Sequence, residues 1–599
     1  MNEKIVDSEK TVGSGECVVE SKKPEDYFFR ASAADFKKIP SKPIAYWVGK
    51  SLRDLYSSHK LAGEVSKAVV GLQTGDNDRF IRFWYEVDNS RISTNLTNTE
   101  ESKSNSIKWV PYNKGGAYRK WYGNREYVVN WEGDGVEIRN FKDSRGKLRS
   151  RPQNTSFYFR EAITWSEITS SWKSFRFNSA GSISDVKGQS AFFSDRMLLF
   201  KTLAWLNSNI TEYLTKVLNP TLSFQSGDYR NIPLPLMDDE CGKLAKRAVK
   251  ISKVDWDASE LSFDFKTLPI IRKCSQLSAS YIDYRKFCNA LFSELIQIEK
   301  YLNENLVKSY ELQCDVRTDV KSEQITLTCN PHYRYGGDKT AVELEALLLA
   351  DTMKEFISYA VGCMFGRYSL DKEGLILATQ GETLDDYLKQ VPEPTFMPDE
   401  DGIVPVSDYA WFDDDASNRF FAFVATIWPK EVLDENLDFI AESLKPRRGE
   451  SARETIRRYI SQSFFKDHLK RYKKRPIYWL FSSGRESAFE CLVYLHRYNE
   501  GTLARMRTEY VIPLSGKLNA RVDHLREEAE QAQSSAARNR MLKEFQVMEK
   551  KREELRQFDE KLRHYADQRI SIDLDDGVKV NYGKFNGLLA EVKAVTGKK

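Results

Sequence analysis

The spacing of hydrophobic positions divides the chain into a front part of short strands and a rear part of helices. Two apolar segments flank residues 71–78, which predicts a strand, a polar turn and a second strand over residues 67–87. Residues 108–184 alternate short aromatic and Ser/Thr-rich segments with Gly and Asn, the pattern of a β-rich domain. Residues 197–218 place apolar side chains three and four apart, which predicts a buried helix ended by Asn219-Pro220.

Helical spacing dominates from Asp238 onward. Two apolar series near the end are spaced alternately four and three apart: Leu518, Val522, Leu525, Ala529, Ala532 and Ala536, and then Leu555, Phe558, Leu562 and Tyr565. They predict a helix pair with a phase break near 537–542. We therefore expect an α+β fold, with a β-rich mixed domain followed by a mainly α-helical region that ends in a long helical hairpin or coiled coil.

A chain of 599 residues is too long for one core, and changes in its residue pattern suggest several units. The predicted units are a disordered lead-in (1–24), a β-rich domain (25–236), a helical domain (237–390), an acidic linker or loop (391–415), a mixed α/β or helical domain with a basic cluster (416–515), and long C-terminal helices with a terminal strand-like segment (516–599). The linker assignment rests on eight acids and no base between Val391 and Asp415.

Composition narrows the class of protein. Hydrophobic residues make up 41% and charged residues 30%, with no apolar run of membrane-spanning length and no apolar core of a signal peptide at the N-terminus. We expect a cytoplasmic protein that has no contact with a membrane. The eight cysteines and six histidines are scattered without a Cys-x-x-Cys pair, so we expect neither a metal site nor disulfides.

Charge is distributed unevenly although the net charge is only +4. Residues 108–176 hold 14 Lys and Arg against 7 Asp and Glu. Within them, residues 108–131 interleave seven Trp and Tyr with five cations around Gly115-Gly116. Such a stretch could stack bases and neutralise phosphates, or it could be a β-hairpin with packed aromatics and solvated cations.

Sequence motifs for catalysis are scarce. The chain contains no Pro-Pro, and hence no Asn/Asp-Pro-Pro-aromatic turn of the kind that holds a flipped base, and no glycine-rich nucleotide loop after a strand. One nuclease-like order occurs, in which Asp575 or Asp576 precedes Glu591-Val592-Lys593 and could hold Mg²⁺. We predict no catalytic residue and no cofactor site in this chain, with the nuclease kept as a third alternative.

Eight segments, in order, resemble the PglX family, the adenine-specific DNA methyltransferases of type 1 BREX phage-defence systems. The family is related to the fused methyltransferase-specificity chains of restriction-modification enzymes. The segments are FKKIPSKPIAYWV, KGG with RKWYGNREYVVNW, FREAITWSEITSSWKSFRF, LAWLNSNITEYLTKVLNPTLSFQSGDYRNIPLP, SKVDWDASELSFDF, KKRPIYWLFSSGRESAF, VYLHRYNEGTLARMRTEYV and DLDDGVKVNYGKF.

In that family a domain that binds S-adenosylmethionine and carries an Asn-Pro-Pro-Tyr-type motif precedes these segments. The resemblance therefore implies the C-terminal part of such an enzyme, a target recognition domain with a helical tail. It implies S-adenosylmethionine for a methyltransferase domain supplied in cis or in trans. The implied partners are double-stranded DNA and other BREX proteins, and the implied role is methylation of host DNA to mark self and support phage exclusion.

By the same resemblance, residues 67–235 would read DNA, and basic and polar side chains there are the candidate contacts. The candidates are Asn77, Arg79, Lys114, Arg119, Lys120, Arg125, Arg160, Lys173 and Arg176. We assign phosphate binding to Lys114, Lys120, Lys173 and Arg176, and base or groove contact to Asn77 and Arg119. A different group is expected in the core: Trp165, Trp172, Trp205, Leu206 and Phe224. The competing hypothesis is an interaction scaffold whose long helices recruit defence subunits.

Overall fold

A computed structural model describes residues 37, 39–40, 48–104, 106–170 and 172–597. The predicted lead-in, residues 1–24, lies outside these residues. The fold is α+β, as expected, with short strands concentrated before residue 235 and helices after it. No helix in the described ranges is long and apolar enough to cross a membrane.

Short strands build four small sheets. The strands are β1 (Lys60–Leu61), β2 (Lys67–Val69), β3 (Ile81–Phe83), β4 (Trp109–Asn113), β5 (Tyr127–Asn130), β6 (Ala162–Trp165), β7 (Phe175–Asn178), β8 (Ile183–Ser184), β9 (Ser190–Phe192), β10 (Pro233–Leu234), β11 (Ile403–Pro405), β12 (Tyr478–Ser482) and β13 (Glu490–Tyr494). Their orders are β1-β10, β2-β9-β6-β7, β3-β5-β4-β8 and β11-β13-β12. Only the β4–β8 pair among these is parallel.

Helices surround these sheets and form most of the rear part. They are α1 (Lys50–Ser58), α2 (Ala62–Val65), α3 (Asn77–Phe80), α4 (Glu132–Arg139), α5 (Arg196–Leu206), α6 (Asn209–Leu218), α7 (Ser226–Arg230), α8 (Asp239–Asp257), α9 (Leu277–Ser309), α10 (Pro331–Tyr335), α11 (Ala341–Met364), α12 (Leu384–Gln390), α13 (Ala416–Ile427), α14 (Leu433–Ser443), α15 (Ala452–Gln462), α16 (Phe464–Arg471), α17 (Thr502–Arg505), α18 (Ile512–Gln531), α19 (Ser535–Asp567), α20 (Val578–Gly583) and α21 (Val592–Thr596). The predicted helix over 197–218 is interrupted at Asn207-Ser208 and becomes α5 and α6.

The aromatic stretch at residues 108–131 is a β-hairpin. Strands β4 and β5 pair antiparallel, with Trp109 opposite Asn130 and Tyr112 opposite Tyr127. Trp121 and Trp131 are buried as well. The hairpin of one interpretation is therefore present, but Trp109, Trp121 and Trp131 lie in three different core clusters. The cations that this interpretation expected in solvent include Arg119 and Lys120, which are buried.

The two strands predicted over residues 67–87 both exist, but they do not pair with each other. β2 pairs with β9, and β3 pairs with β5 in a different sheet. The polar turn between them, which carries Asn77, therefore crosses from one sheet to the other.

The hydrophobic core crosses the predicted boundary at residue 236. Cys241 and Ala245 of α8 are buried in one cluster with Leu199 and Leu203 of α5. Helices α8 and α9 thus complete the core of the β-rich part and do not begin a separately packed domain.

Residues 391–415, predicted as an acidic linker or loop, are mostly irregular but contain a buried strand and so are not a linker between separate units. Ile403 and Val404 of β11 are fully buried, and the strand pairs antiparallel with β13. Asp415 accepts a hydrogen bond from the Asn418 backbone at 2.8 Å as the N-cap of α13, and it is ion-paired with Arg457. Asp415 is therefore structural, because capping and pairing satisfy its carboxylate inside the fold.

The predicted pair of long helices is confirmed as α18 and α19. They run antiparallel, since ion pairs join Arg521 of α18 to Glu544 and Arg507, in the helical turn before α18, to Asp559, both at 2.7 Å. The break falls at residues 532–534, earlier than the predicted 537–542. An N-cap at Ser534 fixes it, because its side chain accepts from the Ala537 backbone.

Candidate nucleic-acid interface

Two of the nine predicted DNA contacts, Arg119 and Lys120, lie in buried ion pairs. Arg119 is 5% exposed and its Nη2 lies 2.6 Å from Asp255 Oδ2. Lys120 is 6% exposed, and its Nζ lies 2.8 Å from Glu299 Oε2. The other oxygen of Glu299 accepts from Trp121 Nε1 at 2.7 Å.

Arg176 is completely buried. It donates to the Arg119 carbonyl at 3.2 Å and to Ser166 Oγ at 3.3 Å, and burial lowers its pKa to about 10. Together with Arg119 and Lys120, it faces the protein interior. The phosphate and groove roles that the sequence suggested for these three residues do not fit this structure.

Three further candidates are half-buried. Arg125 donates to Asn178 Oδ1 at 3.2 Å and to Ser179 Oγ at 2.6 Å. Lys114 Nζ lies 5.3 Å from the centre of the Tyr127 ring. Burial lowers the pKa of Lys173, whose Nζ approaches the Leu222 carbonyl at 3.3 Å. Contact of these side chains with DNA stays a prediction.

Asn77, Arg79 and Arg160 are exposed, and their contact with DNA also stays a prediction. Asp76 caps α3 by accepting from the Arg79 backbone at 3.1 Å, which places Asn77 at the first helical position. Arg79 pairs with Glu137 at 2.6 Å.

An exposed two-stranded ribbon lies next to this turn, and none of its residues is among the predicted DNA contacts. We name residues 141–151 the basic hairpin. Its two sides pair through hydrogen bonds from the Asp143 backbone to the Lys147 carbonyl at 2.8 Å and from Arg149 to Phe141 at 3.0 Å. Gly146 forms the tip with a φ of 79°, a left-handed conformation that glycine adopts without strain.

The basic hairpin is anchored to the turn that carries Asn77. Gln73 and Arg151 exchange backbone hydrogen bonds at 3.1 and 2.8 Å. The guanidinium groups of Arg79 and Arg149 lie 5.2 and 5.6 Å from the centre of the Phe141 ring. Turn and hairpin thus form one continuous polar surface.

Positive charge is concentrated on this surface. The hairpin exposes five cations: Lys142, Arg145, Lys147, Arg149 and Arg151. Asp143 is its one acid, and Asp143 Oδ1 accepts from the backbones of Arg145 and Lys147 at 2.9 and 3.0 Å. Within the described residues none of the five cations is within ion-pair distance of a carboxylate. The sequence signal was present, since KDSRGKLRSR places five cations around an Asp-Ser-Arg-Gly turn.

The nuclease alternative is not supported by the surroundings of Asp575. Its carboxylate accepts from Arg91 at 2.5 Å, from Lys108 at 2.7 Å and from Trp109 Nε1 at 2.7 Å. Both oxygens are therefore engaged by protein donors. Glu591 stands apart, exposed at the start of α21, and no cluster of three or more His, Cys, Asp or Glu suited to a metal occurs in the part of the chain that the structure describes.

Four of the five predicted core residues are confirmed. Trp165, Trp205, Leu206 and Phe224 are each at most 1% exposed. Trp172 is the exception: it is half-buried and meets Tyr118 edge-on at 5.6 Å.

Sequence comparison finds two curated proteins that are similar to nearly the whole of this chain. The chain is 46% identical over 572 residues to "Adenine-specific methyltransferase BrxX" of Escherichia coli O9:H4 (strain HS), covering 94% of this chain and 46% of that protein. The chain is homologous to the PglX family over nearly its whole length. It is also 37% identical to "Adenine-specific methyltransferase PglX" of Lacticaseibacillus casei (strain Zhang), covering 93% of this chain and 45% of that protein. No protein-family model matches the chain.

The chain spans about half the length of the curated relatives it matches. The resemblance to the PglX family is confirmed for that half.

Proposed function

We propose that this chain is the DNA target recognition and C-terminal portion of an adenine-specific DNA methyltransferase of the BREX phage-defence type. The observation that carries the proposal is the 46% identity, across 94% of the chain, to a protein named as an adenine-specific methyltransferase. In this role the chain binds and reads duplex DNA. Methyl transfer and S-adenosylmethionine binding belong to a methyltransferase domain supplied in cis or in trans, and the product marks host DNA as self.

The exposed cations near the Asn77 turn support the DNA-binding part of the proposal. Phosphate contacts from Lys and Arg fix a protein on the duplex, while a few polar side chains read base edges. The basic hairpin supplies five exposed cations, and the adjoining turn supplies an exposed amide, Asn77. The two requirements for sequence-specific binding therefore lie side by side.

Salt dependence of DNA binding tests this proposal. Each neutralised phosphate contributes about −0.9 to the slope of log affinity against log salt, so five contacts give a slope of about −4.5. We expect the affinity of the full chain for duplex DNA, measured by fluorescence anisotropy, to fall by about 10²- to 10³-fold between about 50 and 200 mM salt. Absence of binding, or an affinity that salt leaves unchanged, would contradict the proposal.

A further inference from the structure

We propose that the basic hairpin, residues 141–151, enters the major groove of duplex DNA and carries the largest share of the chain's phosphate contacts. This inference rests on the proposed function, because it names the element through which the chain would hold DNA.

The shape of the hairpin fits the groove. Lys142 pairs with Leu148 across the two sides, which makes the hairpin a narrow two-stranded ribbon. Adjacent strands lie about 4.8 Å apart, and the major groove, about 12 Å wide, admits such a ribbon. A Cβ placed on Gly146 would meet no atom within 4 Å, so the tip projects into open space.

The charge of the hairpin fits an anionic partner. Some exposed cations elsewhere in the chain are paired with acids, as in the pairs Arg247–Glu294 at 2.5 Å and Arg556–Glu553 at 2.8 Å. The cations of the hairpin have no such carboxylate within the described residues. Five unneutralised charges on one short ribbon repel one another in the free protein, and a phosphate backbone relieves that repulsion.

The side chains of the ribbon include one suited to a base edge. Leu148 is 53% exposed although it lies between Lys147 and Arg149. An apolar side chain inside the major groove contacts the methyl group of thymine, which gives an exposed leucine a place in this complex. On the neighbouring turn Asn77 is exposed, and an amide can form hydrogen bonds with adenine. Its Oδ1 accepts from Thr74 Oγ1 at 2.7 Å, which orients the amide.

The base of the hairpin is held firmly enough to position these groups. Ser150 is buried and donates to the Ile138 carbonyl. The backbone of Arg151 is bonded to Gln73 in both directions. A ribbon fixed at its base and free at its tip keeps its direction relative to the Asn77 turn.

A charge-neutralised variant of the full chain tests the assignment. Lys142→Gln/Arg145→Gln/Lys147→Gln removes three exposed cations, while Lys543→Gln/Lys561→Gln/Arg563→Gln removes three exposed cations from α19 as a matched control. We expect the hairpin variant to bind duplex DNA about 10- to 100-fold more weakly near 100 mM salt, with a slope against log salt reduced by about 2 to 3. The control should bind as the unmodified chain does, and circular dichroism should show both variants folded.

Groove-specific ligands test the second part of the assignment. Methyl green, which occupies the major groove, should compete with the unmodified chain, and netropsin, which occupies the minor groove, should not. Displacement by netropsin alone would overturn the assignment to the major groove.

The outcomes separate this inference from the proposed function. If the unmodified chain binds DNA with steep salt dependence and the hairpin variant binds equally well, the hairpin assignment is wrong and DNA recognition stands. If the unmodified chain does not bind duplex DNA at all, both fail. Equal weakening by the hairpin and control variants would show a diffuse charge effect and would also overturn the hairpin assignment.

Discussion

Arg119 and Lys120 show how the same residue type serves the interior and the surface within one short stretch. Both belong to the aromatic stretch at residues 108–131. Their partners lie far along the chain: Asp255 of α8 follows Arg119 by 136 residues, and Glu299 of α9 follows Lys120 by 179 residues. Local sequence does not contain those partners. It can predict that residues 108–131 are rich in cations, but not which cations are neutralised inside the fold.

Truncation of Arg119 is expected to destabilise the protein. Arg119→Ala leaves Asp255 buried with two backbone donors, Thr328 and Cys329, and without its cation. Loss of one partner of a buried pair costs about 3–5 kcal/mol, measurable by urea unfolding. Arg160→Ala, at an exposed arginine, should change the free energy of unfolding by less than about 1 kcal/mol. A cost below about 1 kcal/mol for Arg119→Ala would show that the pair contributes little.

The buried ion pairs of Arg119 and Lys120 also decide which variants can report on DNA binding. Charge reversal at Arg119 or Lys120 places an acid against Asp255 or Glu299 in the interior. Such a variant would lose DNA affinity by unfolding. Substitutions in the exposed basic hairpin avoid this ambiguity.

Glu490 is expected to make stability depend on pH. Burial raises its pKa from an ordinary 4.5 to about 7, although Ser482 Oγ donates to it at 2.8 Å. The folded protein then holds the proton more tightly than the unfolded chain does. The contribution, about 3 kcal/mol, is fully present below about pH 4.5 and is lost as pH rises through about 7.

Urea unfolding at several pH values checks this expectation. Stability should fall between about pH 5 and 7, and Glu490→Gln, which is uncharged at every pH, should fall less steeply. Asp399, whose burial also raises its pKa to about 7, contributes in the same window, so the difference between the two proteins is the informative quantity. Identical slopes would mean that Glu490 is not protonated in the fold.

At the scale of elements, local patterns were sufficient where pairing is local. The β4–β5 hairpin and the α18–α19 pair both follow from turn and periodicity signals within a short stretch. The partners of β2 and β11 lie far along the chain, at β9 and β13. For that reason the sequence predicts an acidic linker or loop around β11 and no strand: the strand is three residues long and its pairing partner is remote.

Residues 572–583, which we name the clasp, are hydrogen-bonded to strands β3 and β4. Besides the three donors to the Asp575 carboxylate, Arg82 donates to the backbone carbonyls of Asp575 and Asp576, both at 3.1 Å. Lys579 pairs with Asp78 at 2.9 Å. The clasp therefore connects the end of the chain to the strand and turn that precede the basic hairpin.

Neutralising Asp575 is expected to loosen this clasp. Asp575→Asn leaves Arg91 and Lys108 without their shared buried anion, at a cost of about 3 kcal/mol. Hydrogen exchange should become faster in residues 572–583 and in β4. Asp576→Asn is the control, because Asp576 is half-exposed and lies 3.6 Å from Lys584; its effect should stay within about 1 kcal/mol. Unchanged exchange in Asp575→Asn would contradict the clasp.

At the scale of the molecule, the front and rear parts are joined by packing and do not depend on one linker. Trp84, which directly follows β3, and Trp109 of β4 belong to the same core as Phe356 of α11 and Leu555 of α19. A duplex bound at the basic hairpin would thus act on a body that is continuous with the long helices. The sequence indicates a β-rich front part and a helical rear part. It does not indicate that they share a core, because the contacts join positions hundreds of residues apart.

The proposed division of labour predicts that methylation requires a second domain. We expect the chain alone not to bind S-adenosylmethionine in calorimetry, because its sequence has no glycine-rich nucleotide loop after a strand. We also expect it not to methylate adenine, because it has no Asn/Asp-Pro-Pro-aromatic turn to hold a flipped base. Mixing it with the separately produced remainder of the Escherichia coli relative should give adenine methylation of duplex DNA, detected by transfer of a labelled methyl group.

The hairpin variant makes this experiment specific to DNA recognition. In the mixture, Lys142→Gln/Arg145→Gln/Lys147→Gln should lower methylation mainly by raising KM for DNA, with S-adenosylmethionine binding by the added domain unchanged. The α19 control should support methylation at the unmodified level. Stoichiometric S-adenosylmethionine binding by the chain alone would contradict the division of labour, since the cofactor site would then lie within these residues.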